Sequence, residues 1–171
     1  TGNLYRPANT SGRHPGVACP HGHWPHGRLH HDARGSIAAR CITLARAGAV
    51  VFAYDMVGYN DSARAFPHRH PDLDTPQTAL WGIGHLPLQT LNSIRVIDFL
   101  QSLPDIDPGR IGVTGASGGG TQTFILSAVD DRVTVDCPVN MISSTMQGGC
   151  VCENAPLLRI GTNNMEIAAL F

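Results

Sequence analysis

Short β-branched apolar runs alternate along the chain with stretches in which apolar residues recur every three or four positions, and a chain that changes period in this way reads as α/β. Gly16-Val17-Ala18-Cys19-Pro20 is the first clear strand, after a polar Asn9-Thr10-Ser11-Gly12 turn, and Leu4-Tyr5 ends an earlier one. Between Ser36, a residue type suited to an N-cap, and Gly48, where a C-terminal cap belongs, Ile37, Cys41 and Leu44 share one helical face. The run from Ala49 to Tyr54 is apolar throughout, the mark of a strand covered on both faces. From Met56 to Trp81 the periodicity lapses and prolines intervene, which predicts a long excursion of the kind that lines a site. Leu88, Leu91, Ile94, Ile97 and Leu100 recur every three residues, widened by Val96 and Phe99, and predict a helix from about Leu86 to Leu103, ended by Pro104. Asp107-Pro108-Gly109-Arg110 then reads as a turn, Ile111 to Thr114 as a short strand, and Gly115 to Gly119 as a glycine turn. A helix is expected to begin near Gln122, and Val133 to Val139 gives another strand. The segment from Asn140 to Phe171 is mixed, with a break at Gly148-Gly149.

Composition narrows the classes. The 171 residues suit one domain, 1–171, and 42% hydrophobic against 15% charged residues can bury a core, which excludes disorder as the main state. With a formal net charge of −1, no long-range field points to a polyanion, so neither nucleic acid nor an anionic membrane surface is an expected partner. No stretch reaches the roughly 20 apolar residues of a membrane span, and the start at Thr1-Gly2-Asn3 reads as a mature or clipped N-terminus. Five cysteines, Cys19, Cys41, Cys137, Cys150 and Cys152, are too few and too unevenly spaced for a disulfide framework and leave the compartment open.

The residues that carry chemistry lie at the glycine turn. Gly115-Ala116-Ser117-Gly118-Gly119 fits G-x-S-x-G, with a predicted strand before it and a helix after it. Such a turn projects the Ser117 hydroxyl away from the backbone, and the flanking Gly115 and Gly119 are needed because a Cβ there would strike the neighbouring strand or helix. The Gly118 N–H and the positive end of the following helix then face the reacting carbonyl, where negative charge develops. A plain βα turn would show the same glycines. A dinucleotide site is a poorer fit, because the G-x-G-x-x-G register is missing.

The first strand also runs into Pro20-His21-Gly22-His23-Trp24, a His-Gly turn at a strand end. With Leu4-Tyr5-Arg6-Pro7, Ala53 to Ser62, Gln89 to Arg95 and the nucleophile turn, this order of motifs resembles the α/β-hydrolase superfamily. Within it the chain is most similar to acetyl xylan esterase-like and dienelactone-hydrolase-like bacterial members. The resemblance implies a three-layer α/β/α domain with a mostly parallel sheet, of which these residues are the N-terminal two-thirds. It implies Ser117 as the nucleophile of a carboxylic ester hydrolase that acts through an acyl-serine intermediate. The backbone N–H groups of His23 and Gly118 then form the oxyanion hole. It implies no cofactor, and a small-molecule or carbohydrate ester, acetylated polysaccharide above all, as substrate. Asp55 is read as a structural hydrogen-bonding residue, and Asn60 departs from the more usual glycine.

The triad is incomplete in this sequence. On this fold the order is serine, acid, histidine, yet all nine histidines precede Ser117. The favoured reading is a fragment whose acid and histidine belong to strands beyond Phe171, with little activity alone and an exposed sheet edge open to self-association. A base recruited from upstream, His85 or His21, and a non-catalytic relative are the alternatives. Glu153 is a downstream carboxylate of interest because some esterases of the superfamily take their acid after the sixth strand; a helix-start carboxylate is its plainer reading. A reading of another class is a metal-binding module built on His21, His23, His26, His30 and His31. Their spacing matches no metal motif, and Cys150-Val151-Cys152 lacks a second pair, so no metal ligand is expected. Trp24, Tyr59 and Trp81 are candidates to line an acyl or sugar pocket.

Overall fold

The computed structural model describes residues 1–8 and 11–171, so Asn9 and Thr10 of the expected turn lie outside the described residues. Among the described residues five strands form the main sheet: β1 (Gly2–Tyr5), β2 (His14–Pro20), β5 (Val50–Tyr54), β6 (Ile106–Ala116) and β7 (Val133–Val139), in the order β1-β5-β2-β6-β7. Only β1 runs antiparallel to its neighbour; the other three pairings are parallel. Two short strands, β3 (His31–Asp32) and β4 (Gly35–Ser36), pair by themselves. The helices are α1 (Ile37–Arg46), α2 (Pro76–Leu80), α3 (His85–Ser102), α4 (Gly118–Val129) and α5 (Asn164–Ala168). None among the described residues is long and apolar enough to cross a membrane.

The apolar run of β5 serves two cores because successive side chains of a strand point to opposite faces. Val50 and Tyr54 pack with Val96, Ile97 and Leu100 of α3 and Leu126 of α4, whereas Val51 and Ala53 pack with Ile37 and Cys41 of α1. The result is helices on both faces of a mostly parallel sheet. Helix α1 is bounded as its sequence predicts: Ser36 Oγ accepts from the Ala39 N–H at 3.0 Å, and Gly48, at φ +103°, takes the left-handed conformation that ends the helix.

Three expectations are corrected. In α3 the expected face is buried only in part: Val96, Ile97 and Leu100 are buried, whereas Leu91 is 48% exposed. Toward the N-terminus the inner face is carried by Leu86, Gln89 and Ser93. Its polar members are satisfied: Gln89 Nε2 donates to Val57 O at 3.3 Å, and the Ser93 hydroxyl lies 2.8 Å from the Tyr54 hydroxyl. Hydrophobic periodicity misses a stripe that is apolar at one end and hydrogen-bonded at the other. Asp107 to Arg110 is not a turn between elements but a bulge inside β6, because β2 advances from His14 to Gly16 while its partners advance from Ile106 to Ile111. Helix α4 starts at Gly118, four residues before the expected Gln122, so the glycines are themselves helical.

The junction of β2, β6 and α4 fixes where that helix begins. An ideal Cβ on Gly119 would lie 2.5 Å from Pro20 O, and one on Gly115 would lie 2.5 Å from Gly119 O. Both obstacles are backbone atoms and have little room to yield. Gly119→Ala is therefore expected to destabilise the fold by about 1–3 kcal/mol, the usual cost of overpacking. Gly35→Ala, where a Cβ meets nothing within 4 Å, should stay close to wild type in the same urea titration.

Arg132 ties the helical layer together. Its Nη1 donates to Asp98 Oδ1 of α3 at 2.7 Å, and its Nη2 donates to Asp130 Oδ2 at 2.6 Å. The guanidinium holds both carboxyls below their ordinary value of 3.8. A depressed folded-state pKa contributes stability that is present above the unfolded value and lost as pH falls below it. Urea midpoints are thus expected to drop from pH 6 to pH 3, and Arg132→Gln should reduce that drop by lowering the midpoint mainly at pH 6.

Candidate active site

Ser117 is the single residue between the end of β6 and the start of α4, and it takes φ 57° and ψ −125°. That backbone conformation is strained for a residue with a Cβ, at a cost on the order of 1–3 kcal/mol. It is held from both sides: the Ser117 N–H donates to Val139 O of β7 at 3.0 Å, and Ser117 O accepts from the N–H groups of Gly120 at 2.7 Å and Thr121 at 3.1 Å. The residue is half-buried, and its hydroxyl has no hydrogen-bond partner among the described residues.

The loop after β2 lies against this turn. A Cβ on Gly22 would stand 3.0 Å from the Ser117 Cβ, and one on Gly118 would stand 2.7 Å from His23 Cε1. Gly22 O is engaged, accepting from the Trp24 N–H at 2.8 Å, whereas the backbone N–H groups of His23 and Gly118 donate to nothing among the described residues. His21, Gly22, His23, Met56, Tyr59 and Gly118 are among the residues that line a narrow cleft here. A larger cavity of about 310 Å³ lies away from Ser117, between the excursion and the segment after β7, where Leu73, His85 and Pro156 face it.

Among the described residues, neither His21 nor His85 is hydrogen-bonded to Ser117. His21 is 1% exposed; its Nδ1 lies 2.7 Å from Gly22 O and its Nε2 accepts from the Met56 N–H at 3.0 Å. Burial pulls its pKa down to about 4, so the ring is neutral and occupied. His85 Nε2 accepts from the His70 N–H at 3.1 Å. Asp55 is buried and structural: its carboxylate takes Arg28, and accepts from Asn60 Nδ2 at 2.6 Å. Asn60 itself stands at φ 44°, a left-handed conformation that asparagine tolerates and glycine favours.

The histidine-rich loop disperses. His30 stacks on Trp24 with ring centroids 5.1 Å apart, and His26 and His31 are exposed. Among the described residues, His23 alone of that group joins a cluster of three or more side chains able to hold a metal ion. Nitrogen and sulfur atoms of His23, His68, Cys150 and Cys152 all lie within 4.8 Å of one another, a set that no motif in the sequence couples. Glu153 is no helix-start carboxylate. It is 4% exposed in the loop after β7, where its Oε2 accepts from the Cys150 N–H at 3.1 Å and its Oε1 is 4.0 Å from His23 Nδ1. Of the aromatic candidates, Tyr59 packs edge-on against His21 and lines the cleft, whereas Trp81 is 78% exposed.

No protein-family model matches the chain. Among solved structures, Methylesterase BT1017 is 38% identical and superposes with a TM-score of 0.79 over 99% of this chain and 36% of its own. A Bacteroides fragilis NCTC 9343 protein named as a candidate acetyl xylan esterase superposes with a TM-score of 0.77 over 98% of this chain and 52% of its own; at 14% identity it shares the fold. The 4-O-methyl-glucuronoyl methylesterase of Neurospora crassa is 32% identical over 72 residues, 42% of this chain and 16% of that protein. The chain spans 27% and 16% of the curated relatives it matches. Sheet order, the strand-to-helix turn at Ser117 and these likenesses agree on an α/β-hydrolase-like fold, similar to proteins named for ester hydrolysis.

Proposed function

We propose that Ser117 is the nucleophile of a carboxylic ester hydrolase that works through an acyl-serine intermediate on an ester carried by a small molecule or a carbohydrate. The observation that carries this reading is the strained turn that leaves the Ser117 hydroxyl unpartnered, beside two unused N–H groups on His23 and Gly118. Oγ adds to the ester carbonyl, the bond to the alkoxy oxygen breaks, and the hydroxyl proton leaves with the alcohol; water then releases the acid and restores Ser117. The two N–H groups stabilise the oxyanion of each tetrahedral intermediate. A carbohydrate ester is favoured by the names of the relatives, which are methylesterases and a candidate acetyl xylan esterase.

The described residues place no base on Ser117 Oγ, and all nine histidines precede it. Loss of base and acid costs a serine triad on the order of a millionfold in turnover, leaving roughly 10³ to 10⁴ over water. The 171-residue chain is accordingly expected to hydrolyse p-nitrophenyl acetate only slowly. Ordinary turnover abolished by Ser117→Ala would show instead that the chain supplies its own base. Slow phosphonylation by a fluorophosphonate should add one adduct, located by peptide mass spectrometry at Ser117 and missing from Ser117→Ala; an adduct elsewhere contradicts the assignment.

Self-association through the sheet edge belongs to the same reading. Strand β7 borders the sheet with Val135 64% and Val139 42% exposed. Sedimentation velocity over a hundredfold concentration range should show mass increasing with concentration, and a monomer throughout would refute it.

A further inference from the structure

Three segments remote in sequence bring two imidazoles and two thiols to one point beside the Ser117 turn. His23 comes from the loop after β2, His68 from the excursion, and Cys150 and Cys152 from the loop after β7. His23 Nε2 lies 2.7 Å from Cys152 Sγ, and His68 Nε2 lies 3.1 Å from Cys150 Sγ. Both cysteines are buried, and both imidazoles turn the same nitrogen inward. We propose that His23, His68, Cys150 and Cys152 bind one zinc ion in a closed, structural site.

The chemistry of the donor set favours zinc. Two thiolates and two imidazoles neutralise a divalent ion and suit tetrahedral coordination, whereas hard cations such as magnesium or calcium take oxygen. Bond lengths of about 2.0–2.1 Å to nitrogen and 2.3 Å to sulfur place tetrahedral ligand atoms roughly 3.3–3.8 Å apart. The largest separation within the set, 4.8 Å, needs only about 1 Å of contraction, and the 2.7 Å contact a comparable opening.

The surroundings match what metal-bound histidines require. An imidazole that coordinates through one nitrogen usually presents the other to a carboxylate or a backbone carbonyl, which fixes the ring. His23 Nδ1 faces Glu153 Oε1 at 4.0 Å, and His68 Nδ1 faces Val57 O at 3.4 Å. Glu153 also holds the cysteine loop, through the Cys150 N–H. Arg69 Nη2, at 3.9 Å from Cys150 Sγ, places a cation where a thiolate would form. Four protein ligands leave no open position, so the ion pins three loops rather than taking part in the reaction. Because His23 supplies both a ligand nitrogen and the backbone N–H assigned to the oxyanion, the site would also hold that N–H in place.

The test uses the reduced 171-residue chain, dialysed without chelator. Elemental analysis should find one zinc per chain. Replacement by Co²⁺ should give the intense visible bands of tetrahedral cobalt and sulfur-to-cobalt charge transfer. Cys150→Ser with Cys152→Ser should abolish the charge-transfer band, His68→Gln should weaken affinity at least tenfold, and Glu153→Gln should weaken it about tenfold. Cys137→Ser, which removes an exposed cysteine outside the set, should change nothing. A metal-free chain that also fails to bind added zinc, a cobalt spectrum without thiolate bands, or a Cys150–Cys152 disulfide in the reduced preparation would overturn the proposal. Ser117→Ala should retain full zinc, so failure of the metal site and failure of the nucleophile assignment are read separately.

Discussion

Three backbones meet within van der Waals contact where β2, β6 and α4 converge, and the rest of the architecture is arranged around that approach. Pro20 O occupies the space a Cβ would need at Gly119, and Gly119 O occupies the space one would need at Gly115. The chain must leave β6 and enter α4 within one residue, which forces Ser117 to positive φ. The local cost, on the order of 1–3 kcal/mol, is offset by the Ser117 N–H bond to Val139 O and by the burial of α4, whose residues from Gly118 to Ser127 are all shielded from solvent.

A second layer of order comes from polar side chains. The loops that border the turn have little apolar periodicity, yet they are tied to the sheet by hydrogen bonds. Asp55 gathers Arg28 and Asn60, Gln89 reaches Val57 O, and Asn92 Nδ2 donates to Asp55 O at 3.3 Å. His21, buried and neutral, bridges Gly22 and Met56. These groups explain how a long excursion can present a defined surface to the cleft. With both ring nitrogens engaged, His21 is committed to holding these loops.

Strand β5 and helix α1 were readable because a single local rule governs each. An unbroken apolar run marks a doubly covered strand, and Ser36 and Gly48 bracket a helix. The glycine turn was readable because its spacing reports a crowding constraint that only glycine meets. The N-terminal part of the buried face of α3 was not, since Gln89 and Ser93 are inner residues whose partners, Val57 O and Tyr54, lie far along the chain. The bulge in β6 escaped for the opposite reason: Asp107-Pro108-Gly109-Arg110 has the composition of a turn, and only the pairing register with β2 shows that the strand continues on either side. The cluster of His23, His68, Cys150 and Cys152 could not be found from spacing, because His23 and Cys152 are 129 positions apart.

The fold therefore accounts for a serine displayed at a strained junction, with donors beside it and no base from the described residues, and the proposed chemistry rests on that junction. A crystal structure of the chain tests it most directly. Ser117 is expected at positive φ, with its Oγ facing solvent beside the N–H groups of His23 and Gly118. Density showing Ser117 at an ordinary helical φ, with its side chain turned into the core, would contradict it.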